Sequence, residues 1–130
     1  MSTMTLERLT EFAESWNTHD ADTVVSYFAQ DGEFHGPIGP DHLGDRNVGA
    51  EAIRAAVATF FEHAPEGRFV NLRVHLHGDS GVFEWDFENV DADGRTTSVA
   101  GCDLLTFRGD RILTKSVYLK QHAAVPALPA

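Results

Sequence analysis

The chain has 130 residues, 42% of them hydrophobic and 10% aromatic, which suits one compact domain and leaves no room for a second. Ten basic against twenty acidic residues give a formal charge of −10, which repels phosphate backbones and anionic lipid surfaces and argues against nucleic-acid or membrane partners. One cysteine, Cys102, excludes a disulfide framework, and no Cys/His zinc spacing occurs; "MSTMTLERLTEF" has no apolar run of signal-peptide or membrane-span length, so a cytoplasmic location is expected.

Leu6, Leu9, Phe12, Ala13 and Trp16 recur at helical spacing, and "NTHD" then stops that helix and offers Asp20 as the next N-cap. The second helix turns Ala21, Val24, Val25 and Phe28 inward and ends near Gln30 to Gly32. A short strand, "EFHGPI", leads into "GPDHLGDRNVG", a loop long enough to form a pocket rim, in which Asp45 and Arg46 make a surface pair. Strict alternation turns Phe34 and Gly36 inward and His35 outward; a twist in the strand is needed to bring His35 to the pocket mouth for proton transfer. The third helix starts near Gly49, carries Ile53, Val57, Phe60 and Phe61 inward, and is stopped by Pro65 and Gly67.

From Phe69 the period changes to two. A turn at Gly78 to Gly81 sets Leu76 beside Phe83, Val74 beside Trp85 and Leu72 beside Phe87, which makes one face apolar. The opposite face collects Arg73, His75, His77, Glu84, Asp86 and Glu88. Two histidines and one glutamate there leave a metal's coordination incomplete, so no metal site is assigned. Further hairpins turn at "DADGR" and "RGDR", and residues 123–130 read as a tail beyond a single domain spanning 1–122. Three N-terminal helices on a strongly curved, mixed or antiparallel sheet, in the order α-α-β-α-β-β-β-β, make an α+β fold of conical shape with a cavity between its layers.

The strand "SVAGCDLLTF" raises a question of charge, because Asp103 shares a face with Val99, Gly101, Leu105 and Phe107. Gly94 fits a three-residue loop closed by a glycine in the left-handed region, so Asp91 pairs with Arg95, Phe87 with Val99, Trp85 with Gly101 and Phe83 with Asp103. A two-residue turn at Gly109 and Asp110 then places Ile112 beside Phe107, Ser116 beside Asp103 and Tyr118 beside Gly101. Asp103 therefore faces inward among apolar groups, where desolvation raises its pKa and suits it to general acid or base work. Tyr118 and Tyr27 are the candidate hydroxyl donors, and Trp16, Phe28 and Phe34 complete the expected lining. Cys102, with Ala100, Leu104, Val117 and Leu119, is expected to form an outward apolar patch bordered by Lys115 and Lys120, suited to a dimer contact.

"SWNTHDADTVVSYFAQDGEF", "NVGAEAIRAAVATFF" and "AGCDLLTFRGDRILTKSVYLK" together resemble the nuclear transport factor 2-like superfamily, in its SnoaL-like polyketide cyclase branch. The resemblance implies a conical pocket and a homodimer formed through the outer sheet face. It places Asp103 about where ketosteroid isomerases keep a protonated oxyanion-hole aspartate. Gly36 and Phe12 fall where those enzymes keep their base and a tyrosine, so two of three groups are missing. Trp85, Phe87 and Val117 stand about where limonene epoxide hydrolases keep an Asp-Arg-Asp set, whereas SnoaL-like cyclases rely mainly on one pocket aspartate for proton transfer, with which a single Asp103 is compatible.

These readings converge on an enzyme of cyclase, isomerase or dehydratase type, needing no cofactor and acting on a small hydrophobic carbonyl compound. Asp103, Tyr118 and His35 are its candidate catalytic groups. Two alternatives use the same fold: a ligand-binding module, and a dimerisation domain with a vestigial cavity closed by Trp16, Trp85 and Phe61.

Overall fold

Thr5 accepts a hydrogen bond from the Arg8 amide (3.1 Å) and starts helix α1, Leu6–Ser15. A computed structural model describes residues 2–121 of the chain; the expected tail over 123–130 lies outside them. A single 3-10 turn, Trp16–Thr18, ends at His19 in the left-handed region, and Asp20 then caps helix α2, Ala21–Val25, as the sequence indicates. The Asn17 side chain fixes this corner: it donates to the Phe69 carbonyl (2.8 Å) and accepts from the Phe69 amide (2.7 Å).

Helix α2 is shorter than its apolar spacing suggests. Phe28 opens strand β1, Phe28–Asp41, and its ring still packs inward against Phe12. The expected rim loop is largely ordered as strand β2, Gly44–Val48, paired antiparallel with β1. Arg46 consequently lies across from His35 and forks onto Glu33 (2.9 and 3.1 Å) instead of pairing with Asp45. Helix α3, Ala50–His63, follows Gly49.

Strands β3 (Arg68–His77), β4 (Ser80–Val90), β5 (Thr96–Arg108) and β6 (Arg111–Leu119) complete a six-stranded sheet ordered β2-β1-β6-β5-β4-β3. The β1–β6 pair is parallel and the others antiparallel. The first hairpin turns on Gly78 and Asp79 alone, so Val74 pairs with Phe83 and Leu76 with Gly81, two residues away from the expected register. A slip of two preserves every face, and the apolar side survives it. A bulge at Asn71, with φ 54°, then brings Phe69 opposite Phe87. No helix among the described residues is long and apolar enough to cross a membrane.

The core lies between the helices and the concave sheet face, where Leu9, Phe12, Val24, Ile53 and Val57 meet Phe83, Leu105 and Ile112. The "DADG" turn is as expected: Asp91 accepts from Gly94 and donates to Arg95, Gly94 has φ 79°, and Trp85 pairs with Gly101. A β-carbon on Gly101 would run into the Trp85 indole, which lies flat across that strand. Gly101→Ala is therefore expected to destabilise the fold by about 1–3 kcal/mol. A shift of the denaturation midpoint with unchanged slope would show it, and an unshifted midpoint would mean the indole moves without cost.

Candidate active site

Strand β6 carries one residue more than β5 can match. Phe107 pairs with Ile112, as a two-residue turn requires, but Thr106 pairs with Thr114, so Leu113 forms a bulge. Beyond it the faces of β6 exchange. Lys115, Val117 and Leu119 turn inward, while Ser116 and Tyr118, both expected inside, point to the outer face. Asp103 thus stands opposite Val117 and diagonally beside Lys115, and the Lys115 Nζ lies 2.9 Å from its Oδ2.

Both members of this pair are buried: Asp103 is 1% exposed and Lys115 4%. The Lys115 ammonium also sits 4.3 Å from the centroid of the Trp16 ring and 4.8 Å from that of Phe34, so two aromatic faces and one carboxylate replace its water. Burial pushes the Asp103 carboxyl above its ordinary range, against the Lys115 charge and hydrogen bond; the nearby Trp85 N–H favours the anion less, without forming a full hydrogen bond. Burial likewise pushes the Lys115 ammonium down, against the attraction of Asp103. The second carboxylate oxygen, Oδ1, is buried and receives no hydrogen bond from the protein.

The pair closes the floor of a cavity of about 140 Å³. Phe34, Phe69 and Trp85 form its buried walls; Phe60, Phe87, Val99 and Leu119 are half-buried near its mouth, beside the exposed Pro37. A larger groove, about 470 Å³, lies on the outer sheet face. It is open to solvent, whereas the inner cavity holds the Asp103–Lys115 pair, buried on both sides, and is therefore the candidate site.

Of the residues singled out in the sequence, Asp103, Phe34, Phe60, Trp85 and Phe87 line this cavity. Trp16 stands behind Lys115, and Phe28, Phe61, Phe83 and Leu105 belong to the surrounding core. Tyr27 packs on Phe12 beneath the Arg8 guanidinium and does not line the cavity. His35, Ser116 and Tyr118 meet instead in the outer groove with His75 and His77. His35 is buried there, with Nε2 2.9 Å from Glu33. Around the outer patch, Ala100, Cys102, Leu119 and Lys120 line one shallow pocket as expected, but Tyr118 joins them, and Val117 and Lys115 turn to the inner cavity instead. Burial raises the Cys102 thiol pKa, consistent with an inert side chain. No group of three His, Cys, Asp or Glu among the described residues is placed to hold a metal ion.

Lys115 was not among the expected site residues. Its signal lay in "RILTKSVYL": Ile112 must face in to meet Phe107, yet Val117 and Leu119 have the opposite parity, and only an inserted residue turns all three inward.

The family profile for the SnoaL-like domain matches residues 9–114. No protein of curated function matches the sequence. Among solved structures, a provisionally named polyketide cyclase of Xanthomonas campestris pv. campestris superposes with a TM-score of 0.73 at 20% identity, covering 86% of this chain and 87% of that one. A nuclear transport factor 2-like protein of unknown function from Burkholderia pseudomallei does so with a TM-score of 0.74 at 19% identity, covering 88% of each chain. TerC, co-crystallised with polyporic acid, gives 0.74 at 19% identity over 88% of this chain and 89% of its own.

Asp103→Asn, which strands the Lys115 charge in the core, is expected to cost about 3–5 kcal/mol, whereas Asp103→Asn with Lys115→Met should recover most of that loss. Urea denaturation of the two variants and the parent measures the difference; equal losses would mean that the pair is not energetically coupled. The Arg46 hydrogen bond, then that of His35, holds the Glu33 carboxyl at about 2. Since this lies below the unfolded value, the contribution is complete above the ordinary glutamate range and is lost as pH falls toward 2. An NMR titration of the Glu33 carboxyl should find that low midpoint, and Arg46→Ala should move it upward.

Proposed function

This chain belongs to the SnoaL-like domain family, and we propose that on this fold it performs cofactor-independent acid–base chemistry on a small hydrophobic carbonyl compound, of the cyclase, isomerase or dehydratase kind. The observation that carries the reading is the Lys115–Asp103 ion pair on the wall of an apolar cavity. A core needing only stability is served as well or better by apolar side chains of the same volume, so such a pair calls for a purpose.

Asp103 Oδ1, unpaired and fully buried, is the base for a proton on the carbon beside a carbonyl. The Lys115 ammonium, with donors beyond the one spent on Oδ2, offers the developing enolate oxygen a positive charge in a dry site. The aromatic walls exclude water and accept a flat, apolar substrate body. A space of about 140 Å³ selects a molecule of few heavy atoms. The provisional polyketide-cyclase name of the Xanthomonas relative supports a reaction of this kind on the fold.

Deuterium exchange at the α-carbon of butanone, followed by proton NMR in D₂O, tests this reading. The parent protein is expected to accelerate exchange, and folded Asp103→Asn to lose about 10²-fold or more of that acceleration. Exchange that survives the substitution unchanged would remove Asp103 as the base. Butanone perturbing the Trp85 environment without any exchange would favour a binding module.

A further inference from the structure

Lys115 and Lys120 are the two lysines of the chain, and they stand in opposite environments. Lys120 is exposed; Lys115 lies on the cavity floor with its ammonium between Trp16, Phe34 and Asp103. We propose that Lys115 is a nucleophile, which captures a small aldehyde or ketone in the cavity as a protonated imine while Asp103 carries the protons. This rests on the reading above that the cavity takes a carbonyl compound.

Three features support it. Lys115 lines the cavity together with both Asp103 and Phe34, the groups its Nζ touches, so a carbonyl compound seated there lies beside the amine. The lining is otherwise apolar apart from Asp103, so a neutral amine loses little solvation there and the water released can be expelled. The partner 2.9 Å away is a carboxylate able to take and return a proton without rearrangement.

The step balances within the pair. Lys115 passes one proton to Asp103 Oδ2, leaving an amine and a carboxylic acid. The amine lone pair forms a C–N bond at the carbonyl carbon as the C=O π electrons move to oxygen. A proton shifts from nitrogen to that oxygen, giving a neutral carbinolamine. Asp103 then returns its proton to the hydroxyl, which departs as water while the nitrogen lone pair closes the C=N bond. A protonated imine and a carboxylate remain, the same cation and anion that the buried site already accommodates. Asp103 is again a base, now beside a carbon whose protons the iminium has acidified.

Incubation of the full chain with butanal at pH 7, followed by borohydride reduction and peptide mapping by mass spectrometry, tests the proposal. An ordinary exposed lysine is about 99.9% protonated at that pH, so butylation of Lys115 should exceed that of Lys120 by about tenfold or more. Labelling of Lys120 and the amino terminus with Lys115 unmodified would overturn it. In that case, Asp103-dependent exchange of butanone protons would leave the acid–base reading standing, and its absence would remove that reading too. Lys115→Arg, which keeps a cation beside Asp103 but forms no imine, should abolish the site-selective label and leave the circular dichroism spectrum unchanged.

Discussion

The ion pair between Lys115 and Asp103 is the constraint around which the concave side of this protein is arranged. Two charges taken out of water are tolerated only when each meets the other at short range and the remaining polar surface is shielded or used. Lys115 meets Asp103 at 2.9 Å and two aromatic rings within 5 Å. Trp16 therefore has two tasks, since the indole that bridges the rings of α1 and α3 also solvates the ammonium. Asp103 Oδ1 is the carboxylate oxygen that receives no full hydrogen bond from the protein, and Asp103 lines the cavity.

Irregularities in the sheet make that pairing possible. The bulge at Leu113 exchanges the faces of β6, bringing Lys115 in and sending Ser116 and Tyr118 out. The bulge at Asn71 keeps Phe69 and Leu72 on one side of β3, so the aromatic wall continues past the break. Gly101 admits the Trp85 ring over β5 and so brings the indole near Asp103. Each device is local, and together they convert a layer of apolar packing into a walled cavity with charge at its base.

The outer face has a different character. His75 and Arg73 share Glu84 there, and Glu33 is held by Arg46 and by the buried His35; none of these groups lines the cavity. Leu104 and Tyr118 leave apolar surface exposed between them. The same sheet thus separates two functions of its side chains: charge that water solvates on one face, and charge that only the fold solvates on the other.

Much of this architecture was legible in the chain. Helical spacing, the Asp20 cap, the shift to period two at Phe69 and the glycine turn at "DADG" are local signals, and they suffice to place Asp103 inside beside Phe83. A register error of two at Gly78 did no harm, because pleat parity repeats every two residues. The site's second charge had a single trace, the clash of parity between Ile112 and Val117 with Leu119; the inserted residue at Leu113 that resolves it has no mark in composition or turn chemistry. Local pattern alone was enough for three helices, the meander of four C-terminal strands and an acid facing the core, but it left the β2 segment as a loop. That acid's partner was settled in three dimensions, because the choice between Ser116 and Lys115 depends on how β6 fits against β5 and β1 at once.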